Sequence, residues 1–338
     1  MNFFMISRLS LLQLLDLKII RRFLIYAVLR YFARRKIPWT AILELTFTCP
    51  CSCDCCSSSL FQEQYKNSQM PLEVARTRLS EIIALGIPMV HLSGGEPLCY
   101  ANLLEVVDIC KRHNLLTFLE TSAFLMTLSR VQQLKAAGLS CVNISIDSAD
   151  PEIHDSLRNV LGSFEKAIQS LKWCVSEKLP CMISTYATHQ NIENGDLVSM
   201  ISLAKDIGCQ GIRIIGSQPS GRWLGVQDVV LTAGELVRLK KLEQDHFLVL
   251  NMTDLGRCPL SQGCKVVIFP DGAVGPCEHL PFIFKDSLSL SIKDIVEKMA
   301  SLRMFKSAHD CLAQNVQFMA QEGRCSSGKY LKEVSLHD

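Results

Sequence analysis

The segment Thr48-Cys49-Pro50-Cys51-Ser52-Cys53-Asp54-Cys55-Cys56 closes a β-branched and apolar run, Ala41–Thr48, that reads as a first strand. Five cysteines at one strand end form a metal-binding pattern rather than a packing one. Cys49, Cys53 and Cys56 give C-x3-C-x2-C. Thiolates suit iron–sulfur clusters and zinc. A cubane bound wholly by protein takes four cysteines, so three leave one iron open, as a catalytic metal site requires. Cys51 and Cys55 are alternative donors, and a zinc knot built from four of the five is the competing reading.

Working outward from this loop, strands and helices alternate. Further strands are expected at Met89–Ser93, Leu115–Thr121, Cys141–Asp147, Cys181–Ala187 and Gly211–Gly216. Helices are expected at Leu72–Leu85, Leu103–His113, Ser129–Ala137, Ser163–Glu177 and Leu197–Ile207. Gly86, Gly138 and Gly208 stand where helices should stop. This order implies a parallel sheet with right-handed crossovers. Six units are too few for a closed eight-stranded barrel, so the expectation is α/β, a partial (β/α)6 TIM-like barrel. Chemistry in such a fold sits at the C-terminal strand ends.

The second strand runs into Ser93-Gly94-Gly95-Glu96-Pro97. Paired glycines let backbone approach a ligand closely, and a carboxylate can accept from an ammonium group. An isolated Gly-Gly pair is more often an ordinary strand-to-helix turn. Two motifs in this order, each after its own strand, resemble the radical SAM superfamily, with Glu44-Leu45-Thr46 strengthening the match. The sequence departs from that family at Cys55, where an aromatic residue is usual.

The resemblance implies a [4Fe–4S] cluster on Cys49, Cys53 and Cys56, and S-adenosylmethionine (SAM) held through its amino group by Gly94, Gly95, Glu96 and Pro97. It also implies reductive cleavage of SAM, hydrogen abstraction from a substrate, and an electron donor such as flavodoxin or ferredoxin. On the fourth strand, alternation sets Asn143, Ser145 and Asp147 on one face. The stretch from Ser145 and Asp147 through His154-Asp155 to Arg158 resembles a family pattern, which makes Ser145, Asp147 and Arg158 candidate SAM contacts. Asp147 reads equally as a helix cap. Arg222, in a Pro-x-Gly-Arg exit, reads as a solvated loop arginine or as a holder of an anionic substrate group. No residue is singled out as returning a hydrogen atom.

Beyond Thr232 the composition changes. Cys258, Cys264 and Cys277 flank Pro270-Asp271-Gly272, a hairpin turn between apolar runs, which should bring Cys264 and Cys277 to one end. The stretch resembles the start of a SPASM or twitch extension and implies a second, auxiliary [4Fe–4S] cluster on Cys258, Cys264, Cys277 and Cys311, with Cys325 as the other choice for fourth ligand. Zinc is the competing tenant. Glu278 and His279, beside Cys277, are further candidates to face the site. The expected division is therefore 1–38 as an N-terminal basic helix, 39–232 as the radical SAM core, and 233–338 as a small cysteine-rich α+β extension.

In residues 1–38 apolar runs alternate with Arg8, Asp16, Lys18, Arg21 and Arg22, and Arg34-Arg35-Lys36 closes the segment. No run reaches the ~20 residues that span a bilayer, and charges within the apolar region argue against a cleavable signal peptide. The segment reads either as a helix lying in a membrane interface or as one packed on the protein's own barrel. The chain has 338 residues, 48% hydrophobic, with 16 cysteines and a net charge of +2. That composition suits a large folded chain in a reducing compartment and gives no electrostatic case for nucleic acid. The expected location is the cytoplasm, with peripheral membrane contact through the helix. Three functions compete. They are modification of a peptide or protein, modification of a lipid or membrane-associated metabolite, and a non-catalytic iron–sulfur electron carrier.

Overall fold

A computed structural model describes residues 16–226, 228–242, 247–251, 260, 263–299, 301–302, 305, 311–315 and 332–336. Cys258 and Cys325, and residues 1–15, lie outside the described residues.

The central sheet contains β1 (Thr40–Thr46), β2 (Met89–Gly94), β3 (Leu116–Thr121), β4 (Cys141–Ser145), β5 (Cys181–Ala187) and β6 (Gly211–Gly216) in sequential order, all parallel. These are the six expected strands, each within two residues of its anticipated start and end. Two additions extend the sheet. β7 (Leu248–Asn251) pairs parallel to β6. At the other edge, β8 (Lys265–Ile268) pairs parallel to β1, and β9 (Val274–Gly275) returns antiparallel to β8. The cysteine-rich hairpin therefore exists, but it is built onto the barrel's own sheet rather than standing apart. β10 (Phe282–Phe284) and β11 (Lys332–Val334) form a separate two-stranded parallel pair.

Helices cover the outer face. α2 (Leu72–Leu85), α3 (Leu103–Arg112), α4 (Leu128–Ala137), α5 (Pro151–Arg158), α6 (Ser163–Ser176) and α8 (Asp196–Ile207) intervene between strands, with a short α7 (His189–Glu193) before the last. α9 (Ala233–Leu242) precedes β7, and α10 (Ile292–Met299) packs near α2. α2, α4 and α8 end at Gly86, Gly138 and Gly208, each left-handed, as the sequence anticipated. The N-terminal α1 (Leu17–Ala27) is capped by Asp16, whose side chain accepts from Ile19 N at 2.8 Å, and continues as a π-helical turn over Val28–Phe32.

Side-chain alternation divides each strand between two environments. Leu43, Val90, Leu92, Leu119, Val142, Ile144, Ile183, Ile212 and Ile214 face the helices and form the main apolar core. The opposite face turns inward. Near the N-terminal strand ends, Met89, Leu116, Phe118, Cys141 and Met182 form an apolar plug that α1 closes with Ile19 and Phe23, beside Trp39. Above this plug the interior becomes polar.

Candidate active site

The polar layer comes from one residue on each of several strands. Glu120 of β3 accepts from Asn143 Nδ2 at 2.8 Å and from Arg213 Nη1 at 3.0 Å, with a second Arg213 nitrogen on its other oxygen. His91 Nδ1 lies 2.6 Å from the same carboxylate, and the His91 ring stacks on Phe118. Arg213 also donates to Ser184 Oγ at 2.9 Å. Burial disfavours the Glu120 charge, but Arg213, then His91 and Asn143, outweigh it and hold the carboxyl at about 2. Glu44, on the same inward face, is 2% exposed, and one of its oxygens has no hydrogen-bond partner among the described residues. Burial, with the charges of Glu278 and Glu120 adding, pushes Glu44 up to about 8. The shift favours its neutral form. Lys265 of β8 reaches Glu278 Oε2 at 2.7 Å. Burial opposes the Glu278 charge, and the Lys265 ammonium overcomes it, leaving Glu278 well below the usual carboxylate range. His279, buried beside it, is pushed down to about 4 by burial.

The cysteine loop sits over the C-terminal end of β1 and is tied down from three sides. The end of α5 contributes first. Ser52 N donates to Arg158 O at 3.3 Å, Asp54 N to Leu157 O at 2.9 Å, and Asn159 Nδ2 to Ser52 O at 2.8 Å. The turn after β6 contributes second. Arg222 donates to the carbonyls of Cys53, at 2.7 Å, and Ser52, and its own amide donates to Cys56 O at 3.2 Å. Gly221, at φ +61°, approaches so closely that a Cβ there would lie 1.9 Å from Cys56 O. Arg222 is exposed, yet it clamps the loop and is not free in solvent, which corrects its reading as a solvated loop arginine. Third, Ser58 Oγ donates to Gly94 O at 2.9 Å.

The glycine turn is stitched to the same loop. Gly95 N donates to Thr46 O at 2.6 Å and Glu96 N to Thr48 O at 2.9 Å. Gly94, at φ +131°, leaves no room for a side chain, since a Cβ would lie 2.2 Å from Thr46 O. Pro97 opens a short 3-10 turn over Pro97–Cys99. The Glu96 carboxylate is fully buried. It accepts from Leu98 N at 3.1 Å, Thr121 Oγ1 at 2.6 Å, and Ser122 N and Oγ at 2.9 and 2.5 Å. Four donors within the fold occupy it, so this carboxylate is satisfied without a ligand.

Ser145 ends β4 half-buried. Asp147 and Arg158 pair at 2.7 Å between Asp147 Oδ2 and Arg158 Nε, directly against the cysteine loop. Arg158 Nη1 donates to Cys53 Sγ at 3.4 Å, and Cys55 Sγ lies 3.9 Å from Asp147 Oδ2. Asp147 N donates to His154 Nδ1 at 3.1 Å, and burial pushes His154 down to about 4, in keeping with a neutral acceptor.

All the cysteines among the described residues are free thiols. Cys51 N donates to Cys49 Sγ at 3.4 Å. N–H donors on Cys49 and Cys53 suit thiolates bound to iron, whose negative charge such bonds stabilise. Burial pushes the Cys55 and Cys56 thiols up, so metal binding would have to displace their protons. Among the described residues, no three His, Cys, Asp or Glu side chains surround a point where a single ion could sit. The donor set thus fits a cluster in its chemistry, and the thiols must draw together to bind one.

At the C-terminal cysteines, Cys277 and Cys311 are near enough that Cys311 contributes to raising Cys277, after burial and Glu278. Cys264 immediately precedes β8, where its carbonyl accepts from Trp39 N at 2.6 Å, and its thiol lies in the field of Arg30 and Lys265. The hairpin register places Val267 opposite Gly275, so Cys264 and Cys277 do end at the same level. Cys258 lies outside the described residues.

Residues 43–204 match the sequence profile of the radical SAM superfamily. This stretch is a radical SAM domain. Members of the superfamily use a [4Fe–4S] cluster and SAM. Among curated relatives, the chain is 29% identical over 190 residues to the AdoMet-dependent heme synthase of Methanosarcina barkeri, covering 56% of this chain and 52% of that one. It is 32% identical over 170 residues to the PqqA peptide cyclase of Rhodopseudomonas palustris, covering 50% and 45%. The chain thus spans about half the length of these two relatives. Among solved structures, Streptococcus suis SuiB bound to its precursor peptide SuiA superposes with a TM-score of 0.63 at 14% identity, over 88% of this chain and 75% of SuiB. The partial barrel of this chain is therefore a fold it shares with SuiB.

The motifs of the radical SAM domain were readable in the sequence. The inward network of Glu44, His91, Glu120, Arg213 and Lys265 was not. Its only signal was polar residues at inward-facing positions of otherwise apolar strands.

Proposed function

We propose that this chain is a radical SAM enzyme that cleaves SAM reductively and acts on a peptide or protein. The observation that carries the reading is the cysteine loop at the C-terminal end of β1, locked against the Gly94–Gly95 turn and backed by the Asp147–Arg158 pair. In this reading Cys49, Cys53 and Cys56 hold the cluster. When bound and reduced, the cluster supplies the electron that breaks the sulfonium bond of SAM and so begins hydrogen abstraction.

The protein's own part is positional and electrostatic. Arg158 steadies the Cys53 thiolate and is itself neutralised by Asp147. Gly94, Gly95 and Pro97 present backbone to the methionine end of SAM, while Glu96 fixes that backbone to the end of β3. Ser145 offers a hydroxyl at the end of β4. Cys277 and Cys311, with Cys264 and Cys258, are the proposed ligands of an auxiliary cluster. A flavodoxin or ferredoxin would deliver the electron. A peptide substrate is supported by the relationship to a PqqA peptide cyclase and by the fold shared with peptide-bound SuiB.

The test is anaerobic reconstitution of the full chain with iron and sulfide, then SAM and dithionite. Formation of 5′-deoxyadenosine is expected, and Cys53→Ala should lower it by at least 100-fold along with the iron content. An iron-loaded protein that yields no nucleoside would instead support an electron carrier.

A further inference from the structure

The outer face of α1 is apolar and has no partner among the described residues. One side of the helix is fixed to the barrel. Ile19 and Tyr26 are buried, and Leu29 packs against the main core. Arg22 donates to the carbonyl of Ile87 at 2.7 and 3.0 Å, of His113 at 3.3 Å and of Ile83 at 3.4 Å. The other side carries Leu17, Ile20, Leu24 and Val28, spaced three or four apart, and then Tyr31 and Phe32 in the π-helical turn. Leu17 is 84% exposed, Leu24 62%, Val28 55% and Phe32 83%. Bulky apolar residues in such a row are far from the scattered singles that ordinary surfaces carry.

The row lies among cations. Lys18, Arg21, Arg34, Arg35 and Lys36 are all exposed. The nearby acids are paired, Asp16 with Lys111 and Asp108 with Arg112. In sequence, residues 1–15 continue the apolar character, with Arg8 the one charged side chain before Asp16. Among the described residues no helix is long and apolar enough to cross a membrane. An apolar stripe bordered by Lys and Arg, too short to span, has the chemistry of a helix lying in the headgroup region of an anionic bilayer.

We infer that α1 is a docking face for an anionic lipid surface, and that it fixes the orientation of the enzyme on that surface. The carbonyls that hold Arg22 precede β2 and β3, so α1 covers the N-terminal mouth of the barrel. The cysteine loop and glycine turn occupy the opposite mouth. Docked through α1, the protein turns its catalytic end away from the membrane and meets substrate from the aqueous side. A lipid drawn from the same leaflet would have to pass around the barrel, which favours a soluble substrate over a membrane-embedded one. Docking rests on α1 alone and holds whether or not the reading of the active site does; the orientation of the catalytic end rests on that reading as well.

The experiment is vesicle co-sedimentation of the full-length protein with phosphatidylcholine vesicles and with vesicles of phosphatidylcholine and phosphatidylglycerol at 7:3. The expected result is at least 10-fold stronger partitioning onto the anionic vesicles, largely lost at high salt. Leu24→Glu with Val28→Glu should reduce it at least 10-fold, and Arg21→Gln with Arg34→Gln and Arg35→Gln should do the same. Circular dichroism checks that both variants are folded, and 5′-deoxyadenosine formation in vesicle-free solution should not change. Equal partitioning of wild type and both variants would overturn the proposal. So would a wild-type dimer in light scattering that Leu24→Glu with Val28→Glu dissolves, because a second copy would then cover the stripe. Unchanged hydrogen exchange over residues 17–32 on vesicle binding would overturn it too, since the contact would then lie elsewhere, residues 1–15 included.

Discussion

The two mouths of the barrel are built from the same strands in opposite ways. At the N-terminal end the inward side chains are apolar, and α1 seals them with Ile19 and Phe23. At the C-terminal end, only a few residues farther along β1, β2, β3 and β6, they are carboxylates, an imidazole and an arginine, closed over by a cysteine loop. The lower mouth gains stability from area removed from water. The upper mouth bears desolvated charges that survive only because each finds a partner. A barrel of this kind places its conventional core at one end and its costly polar chemistry at the other.

Breaking the polar end should have the largest effect. Arg213→Ala leaves the Glu120 carboxylate buried without its bidentate partner. Urea denaturation should show a loss of about 3–5 kcal/mol, with Arg213→Lys in between. A loss below about 1 kcal/mol would mean that water already reaches this layer.

Glu44 sharpens the same contrast through pH. Its folded-state pKa of about 8 exceeds the ordinary value of 4.5, so the folded protein retains a proton that the unfolded chain releases. The contribution of Glu44 to stability therefore falls as pH rises from about 4.5 to 8 and is level above that. Comparing denaturation at pH 5 and pH 8.5, Glu44→Gln should remove a decline of about 4 kcal/mol. A variant that retains the wild-type slope would assign the titration to another group.

The smallest effect is expected at the apolar end. Burial lowers Arg22 to about 10, which leaves it charged at neutral pH and bonded to three backbone carbonyls. Arg22→Ala should cost about 1–2 kcal/mol. Hydrogen exchange should show the loss confined to α1, with β3 and β4 still protected. Faster exchange throughout the sheet would show that α1 is integral to the barrel's stability rather than laid upon it.

Six strands and most helices were legible because their signals are local. Alternation, apolar runs and terminal glycines lie within a dozen residues of what they determine. The cysteine loop and Gly94–Gly95 were legible for the same reason. Arg222 was read as solvated because nothing nearby in sequence shows that it closes over Cys53, 169 residues away. Glu96 was read as ligand-facing because its four donors come largely from the end of β3, some 25 residues on. The later cysteines were expected in a separate unit, yet β8 joins the edge of β1, an addition set by the open edge of the sheet rather than by any pattern within residues 265–268.

The sequence by itself determined the kind of fold, the cysteine loop and the glycine turn, since each follows from residue type and short spacing. Only the tertiary structure decided which charges meet inside the barrel and which mouth α1 covers. Glu120 and Arg213 are 93 residues apart and Arg22 and Ile87 are 65 apart. Contacts at such separations depend on strand order and register, which no local stretch of chain specifies.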